Sequence, residues 1–248
     1  ATPVETPSPA KTDAAPRAKS VFDNDEVKFE INEDDWKKIS DQEGIQAYQR
    51  RDDGKNPYGD IVAFRGETVI PAKLVKIATI LNTPGLQKEW VDALEDAHIV
   101  EQISKFESIN YNKTDVPWPF QDRDFVYRVN VQVQTDPPVM LIKMKSEPNA
   151  KEPEHDGVVR GAILNSYFYM KELPESQGTK MVIEAAVDPK GAIPLWLVNA
   201  SQKRWPHNTL LKLRKLATDD SIPVSKDVEE FFMKKQVQGA PKKGGKKK

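Results

Sequence analysis

Gly191-Ala192-Ile193-Pro194-Leu195-Trp196-Leu197-Val198-Asn199-Ala200, running on to about Thr218, is the stretch around which the rest of the chain is organised. Gly191 can break a preceding strand, and Pro194 suits the first turn of a helix, where its missing N–H has no intrahelical partner to lose. The spacing predicts a helix of roughly two dozen residues. Its apolar positions are Leu195, Trp196, Val198, Ala200, Trp205, Leu210, Leu213 and Leu216, and Lys203, Arg204, Lys212, Arg214 and Lys215 are left for solvent. These apolar residues fall at mixed spacings, as suits a helix lying in a groove, apolar over its first two turns and amphipathic afterwards. A plain core helix closing a sheet fits the same spacing. Pro206 cannot donate to the preceding turn and predicts a kink or break near Trp205.

Upstream of this helix the period changes from helical to alternating. Between Arg123 and Gln134, Phe125, Tyr127, Val129, Val131 and Val133 face one way, and Asp124, Arg128, Asn130, Gln132 and Gln134 face the other, so one side is buried and one is wet. Val139 to Lys145, Val158 to Lys171 and Thr179 to Asp188 read as further strands, with separators short enough for antiparallel neighbours. Gly44 to Arg50 and Asp60 to Ile70 alternate as well and are joined through Asp52-Asp53-Gly54. Pro71 to Leu81 predicts a helix with apolar positions at 74, 77, 78 and 81, followed after Thr83-Pro84-Gly85 by a short helix carrying Trp90 and Leu94. Asn32 to Ile39 carries a capping residue, acids in the first turn and an apolar pair, and reads as another short helix. The whole is an α+β pattern, an antiparallel sheet interrupted once by helices and finished by a long one.

The chain has 248 residues and no cysteine, with 37 basic against 38 acidic residues. That length suits a single domain with a sizeable interior. The charge balance leaves no overall field to gather nucleic acid, so no nucleic-acid partner is expected. Without cysteine there are no disulfides, thiolate metal sites or Cys nucleophiles. No apolar run approaches the roughly 18 residues that a membrane-spanning helix needs. Residues 1–26 are rich in Pro and Ala, predicting a disordered tether, and Ala1 resembles the start of an exported protein after signal-peptide removal. An exported or periplasmic location is expected, with a cytoplasmic one as the alternative. Residues 27–218 would form the domain and 219–248 an extension, with a last helical turn or two at Val228 to Met233 and a Lys-rich tail. That tail would be either a solvated end or a segment drawn to anionic headgroups.

Several motifs arrive in a particular order: Trp36 with Gly44-Ile45 and Tyr48; Trp90-Val91-Asp92; Tyr111; Pro117-Trp118-Pro119-Phe120-Gln121-Asp122-Arg123-Asp124-Phe125-Val126; Gly157-Val158-Val159-Arg160; Asp188-Pro189-Lys190-Gly191-Ala192-Ile193-Pro194; and Trp196-Leu197-Val198-Asn199. From about Trp36 to Leu216 the chain resembles the START family of lipid-transfer domains, in the form of a bacterial-type single-domain member. The resemblance implies a helix-grip fold, in which a curved antiparallel sheet wraps a long C-terminal helix and encloses an apolar tunnel for one lipid. It also implies a non-catalytic carrier of sterols, phospholipids, ceramides or similar molecules, gated by the Val116 to Asp122 loop together with the C-terminal helix. One departure concerns a basic residue that commonly lies six positions after the Arg of the Arg-Asp-Phe-Val motif in sterol- and phosphatidylcholine-binding members. Here that position is Val129, and Arg128 should point outward, so the tunnel should be greasier than usual.

On this reading the candidate ligand contacts are Trp90, Tyr111, Trp118, Phe120, Arg123, Phe125, Tyr127, Val129, Asn165, Tyr167, Ile183, Ala185, Trp196 and Ala200. Arg123 and Asp124 are adjacent in a strand and face opposite sides, so they cannot serve one site together. A buried Arg123 would need a carboxylate or carbonyl partner. Asn165 and Tyr167 could offer polar contacts to a headgroup or form part of a satisfied core. His98, His155 and His207 are far apart with no second ligand at metal spacing, and no nucleophile elbow or phosphate-binding glycine loop is present. No cofactor, metal or catalytic residue is expected. The expected partners of a monomeric chain are a hydrophobic ligand and, transiently, a membrane surface. An enzyme on the same grip, a cyclase or hydrolase of a hydrophobic substrate, remains the alternative.

Overall fold

The computed structural model describes residues 26–51, 54 and 56–239. The Asp52-Asp53 part of the expected turn, residues 1–25 and the tail from 240 lie outside the described residues, as do the side chains of Leu195, Ala200 and 233–239. The strands are β1 (Trp36–Gln42), β2 (Ile45–Arg50), β3 (Phe64–Ile70), β4 (Leu94–Ser104), β5 (Glu107–Thr114), β6 (Asp122–Thr135), β7 (Pro138–Ser146), β8 (Val158–Arg160), β9 (Ala162–Glu172) and β10 (Thr179–Asp188). The helices are α1 (Leu74–Leu81), α2 (Gln87–Trp90), α3 (Leu195–Gln202), α4 (Trp205–Ala217) and α5 (Lys226–Gly239). One sheet runs in the order β1-β2-β3-β10-β9-β7-β6-β5-β4, with β8 lying parallel to the start of β6. All the other pairings are antiparallel.

The closing helix breaks where its proline requires. α3 ends at Gln202 and α4 begins at Trp205, which puts Pro206 in a first turn. Gly191 has φ +68°, and a Cβ there would stand 3.1 Å from Arg123 Nη2, so glycine is needed both for the turn and for the approach. α4 lies directly on β3: a Cβ at Gly66 would meet Pro206 Cβ at 2.7 Å and Leu210 Cδ1 at 2.9 Å. Leu210 and Leu213 are fully buried in a core shared with Ile45, Ile70, Leu74, Ile77, Met170, Met181 and Ile183. Burying each such side chain contributes about 1.5–3 kcal/mol.

Of the basic residues expected in solvent, Arg214 is engaged by the sheet side, and Lys212 stays partly exposed while pairing with the α2–β4 connection. Arg214 donates to the Glu43 carbonyl (2.7 Å) and to Thr68 Oγ1 (2.6 Å), and Lys212 pairs with Asp92 at 2.5 Å. α1 has no side-chain cap of its own; Glu172 of β9 accepts from the Leu74 N–H at 2.9 Å and fills that role.

Several elements differ from the sequence reading, among them the expected antiparallel strand Val158 to Lys171, which divides at Gly161 into β9 and a short β8 that runs parallel to β6. The Asn32 to Ile39 helix is a single 3-10 turn, Glu33–Asp35, capped by Asn32, after which Trp36 enters β1 and is buried. Leu94 starts β4 rather than continuing α2. Residues 219–232, set outside the domain from sequence, pack onto it: Phe232 is buried in the main core, and Ile222, Val228 and Phe231 rest against it. Lys76 of α1 donates to the carbonyls of Asp219 and Ile222, and the Ser225 N–H to Thr79 Oγ1 at 3.1 Å.

The sheet is covered on both faces. α1, α4 and α5 take the concave side, and a second cluster of Trp36, Ala63 and Ala186, with Ile31, Tyr48, Tyr58, Ile61 and Leu164, covers part of the convex side.

Candidate functional site: an amphipathic cavity

Between the concave face of β4–β7 and the helices α1, α2 and α5 lies a cavity of about 450 Å³, within the usual range of about 300–1,000 Å³ for small-molecule sites. Its apolar walls come from Val129, Val131 and Val133 of β6, Met140, Ile142 and Met144 of β7, Phe168 of β9, Ala78 and Leu81 of α1, and Trp90. These residues share one face because strand side chains alternate, and the pairs Val129↔Met144, Val131↔Ile142 and Val133↔Met140 stand side by side across the β6–β7 ladder. Trp90 meets Phe168 edge-on, with ring centroids 6.0 Å apart.

One wall is polar. Ser108, Asn110 and Asn112 are successive inward positions of β5, and Tyr127 stands opposite Asn110 on β6. Ser108 Oγ donates to Asn110 Oδ1 at 2.7 Å, and burial pushes the Tyr127 hydroxyl's pKa up against the opposing effect of the Asn110 and Asn112 amides. Asn112 Oδ1 and Trp90 Nε1 are buried without a hydrogen-bond partner.

At the rim, α5 contributes Asp227, Val228, Phe231 and Phe232, and the β4–β5 turn contributes Lys105 and Phe106. The Lys105 ammonium sits 4.5 Å from the Phe231 ring centroid. Glu107 also borders the cavity and is paired with Arg128 at 2.6 Å.

A family model described as the START domain matches residues 23–210. The chain belongs to the START domain family. Its members bind and transfer lipids and are not enzymes as a class. An uncharacterised protein of Pseudomonas aeruginosa is 29% identical over 185 residues, covering 74% of this chain and 87% of that protein. Mouse phosphatidylcholine transfer protein is 25% identical over 178 residues, covering 71% and 80%. Among solved structures, human StAR-related lipid transfer protein 5 superposes with a TM-score of 0.66 at 19% identity, over 75% of this chain and 88% of that one. A STAR-related lipid transfer protein from Xanthomonas axonopodis gives 0.62 at 24% identity, over 75% and 100%. These two likenesses show the helix-grip fold.

Of the residues expected to touch ligand, Trp90, Tyr127 and Val129 border the cavity. The others do not. Tyr111 lies on the outer face of β5, packed with Ile109 and Val126 and stacked on His98 at 4.8 Å. Asn165 and Tyr167 also point outward: Asn165 donates to Glu184 Oε1 (3.1 Å), and Tyr167 meets Phe29 edge-on at 4.9 Å. Ile183 and Ala185 face the concave side away from the cavity, Ile183 being fully buried in the core with Leu210. Phe125 packs against Gly161, where a Cβ would come within 2.4 Å of its ring.

Arg123 is buried and finds carbonyls rather than a carboxylate, donating to Pro189 O at 3.1 Å, Lys190 O at 3.0 Å and Gln121 O. It thereby ties the 116–122 loop to the turn before α3. Asp124, on the other face, takes a two-pronged bond from Arg160 at 2.7 and 3.0 Å. Trp118 and Trp196 are 92% and 71% exposed, and neither they nor Phe120 borders the cavity. The Val116 to Asp122 loop therefore does not cover this space; α5 and the β4–β5 turn do. Ala200's side chain is outside the described residues.

Arg128 does point outward, held by Glu147 and Glu107, and Val129 takes the inward position. His98 and His155, remote in sequence, both reach Glu152, at 3.0 and 2.7 Å. Among the described residues no group of three or more side chains is arranged to hold a metal ion. Sequence reasoning missed the polar strip and α5. Ser108-Ile109-Asn110-Tyr111-Asn112 does alternate, but the inward set is the polar one, and nothing local says which face the cavity takes.

Proposed function

We propose that the chain binds one lipid-sized hydrophobic molecule in this cavity and exchanges it with membranes. The observation that carries the reading is a cavity of about 450 Å³ lined mainly by apolar side chains, in a chain of a lipid-binding family. Exchange requires an opening, and α5 meets the β4–β5 turn at the cavity's rim through the Phe106–Phe231 contact, so ligand enters and leaves there as α5 lifts. Trp118 and Trp196 are large exposed apolar rings on segments that Arg123 ties together, which supports their use as contacts with the membrane interface, where Trp is favoured. Carriage is tested by incubating the purified chain with vesicles containing a self-quenched fluorescent phosphatidylcholine or sterol. Dequenching that saturates with one probe per chain supports the reading, and no dequenching above a vesicle-only control overturns it.

A further inference from the structure

The cavity's polar wall carries no charge. Ser108, Asn110, Asn112 and Tyr127 offer hydroxyls and amides only, along a strip that from Ser108 to Asn112 runs about 13 Å at strand spacing. The charged residues that border the cavity do not serve this strip. Lys105 and Asp227 sit at the rim, Lys105 against the Phe106 and Phe231 rings; Glu107 is held by Arg128, and the ring nitrogens of His98 face Asp96 and Glu152. Asn112 and Trp90 both border the space, and Asn112 Oδ1 and Trp90 Nε1 are buried behind its surface without a hydrogen-bond partner. A buried polar atom left unpaired is unfavourable, and a charged group taken out of water without a counter-charge is far more so.

We infer that the cavity selects amphiphiles whose head is uncharged and both donates and accepts hydrogen bonds, such as an alcohol or a glycerol monoester, against heads bearing a carboxylate or a phosphocholine. The head lies along the β5 strip, exchanging hydrogen bonds with the hydroxyls and amides of Ser108, Asn110, Asn112 and Tyr127, and the hydrocarbon lies against Val129, Val131, Ile142 and Phe168. This rests on the lipid-carrier reading and makes it specific.

The test holds the hydrocarbon constant. The full chain is loaded with the neutral dye N-phenyl-1-naphthylamine, which is then displaced at pH 8 by oleyl alcohol, 1-monooleoylglycerol, oleate or 1-oleoyl-lysophosphatidylcholine, each below its aggregation concentration. The two uncharged amphiphiles should displace dye at concentrations about tenfold lower than the two charged ones. Asn112→Leu, which keeps the volume and removes the amide, should shrink that ratio several-fold and leave dye uptake in place; Ser108→Ala gives the same comparison if Asn112→Leu does not fold. Equal or better displacement by oleate or lysophosphatidylcholine overturns the inference while leaving carriage intact, as does a ratio unmoved in the folded variant. A wild-type chain that takes up neither dye nor any of the four amphiphiles overturns the carrier reading itself.

Discussion

Phe106 in the β4–β5 turn and Phe231 of α5 meet at the rim of the cavity with ring centroids 5.3 Å apart and planes tilted by 52°. The contact joins the family's sheet to a helix that begins after the matched region ends at residue 210. Phe231 is half-buried, so Phe231→Ala should cost less than the roughly 3–5 kcal/mol of a fully buried Phe truncation. It should also speed entry of N-phenyl-1-naphthylamine in stopped-flow mixing, because the rim loses its larger cover. Unchanged or slower entry in a folded variant would place the opening elsewhere.

Trp118 and Trp196 touch little of the protein, so replacing both with Ala should change stability by no more than about 0.5 kcal/mol. Binding to vesicles, read by co-sedimentation, should fall several-fold if these rings enter the interface. Full vesicle binding by the double variant would remove them from the membrane contact.

Glu184 is buried on the convex face, and burial holds its carboxyl above the ordinary value of 4.5, against hydrogen bonds from Tyr167 and Asn165 and the charges of Arg50 and Arg65. The folded chain thus binds this proton more tightly than the unfolded one. The stability this contributes is whole below 4.5 and is lost as pH rises through the folded value. Glu184→Gln, which cannot ionise, should gain on the wild type as pH is raised from acid to neutral in urea unfolding. A variant whose deficit grows over that range would show that the ionised carboxylate is stabilising.

Gly66→Ala tests the grip of α4 on the sheet. The added methyl would meet Pro206 Cβ at 2.7 Å and Leu210 Cδ1 at 2.9 Å, and α4 must shift to admit it. A loss of about 1–3 kcal/mol is expected, as for overpacked cores generally. A variant as stable as the wild type would mean that α4 rests less closely on β3.

The period of β6 and the Pro206 break were legible because each depends on neighbouring residues alone: alternation from Phe125 to Val133, and a ring that cannot donate. The order of elements and the motifs around Arg123 and Gly191 carried the fold. Faces were harder. Tyr167 and Phe168 are adjacent aromatics on a sheet covered on both sides, and which one meets the cavity depends on register with β7 and β10. At Asn32 the cap and acids did start a 3-10 turn, but pairing of β1 with β2 and burial of Trp36 beside Arg50 and Arg65 overrode helix propensity. From sequence, α5 reads as only a turn or two because Val228, Phe231 and Phe232 are few; what they pack against, Phe106 and α1, is remote in sequence.

The central claim is occupancy of this cavity by one hydrophobic molecule, and native mass spectrometry of the chain after incubation with mixed-lipid vesicles tests it most directly. Val131 lines the cavity on its apolar side, so Val131→Trp should fill the space where a ligand would lie. The account predicts a single added mass per wild-type chain and its loss in a folded Val131→Trp variant. A wild-type chain that emerges bare, or a Val131→Trp chain that keeps the same added mass, would contradict it.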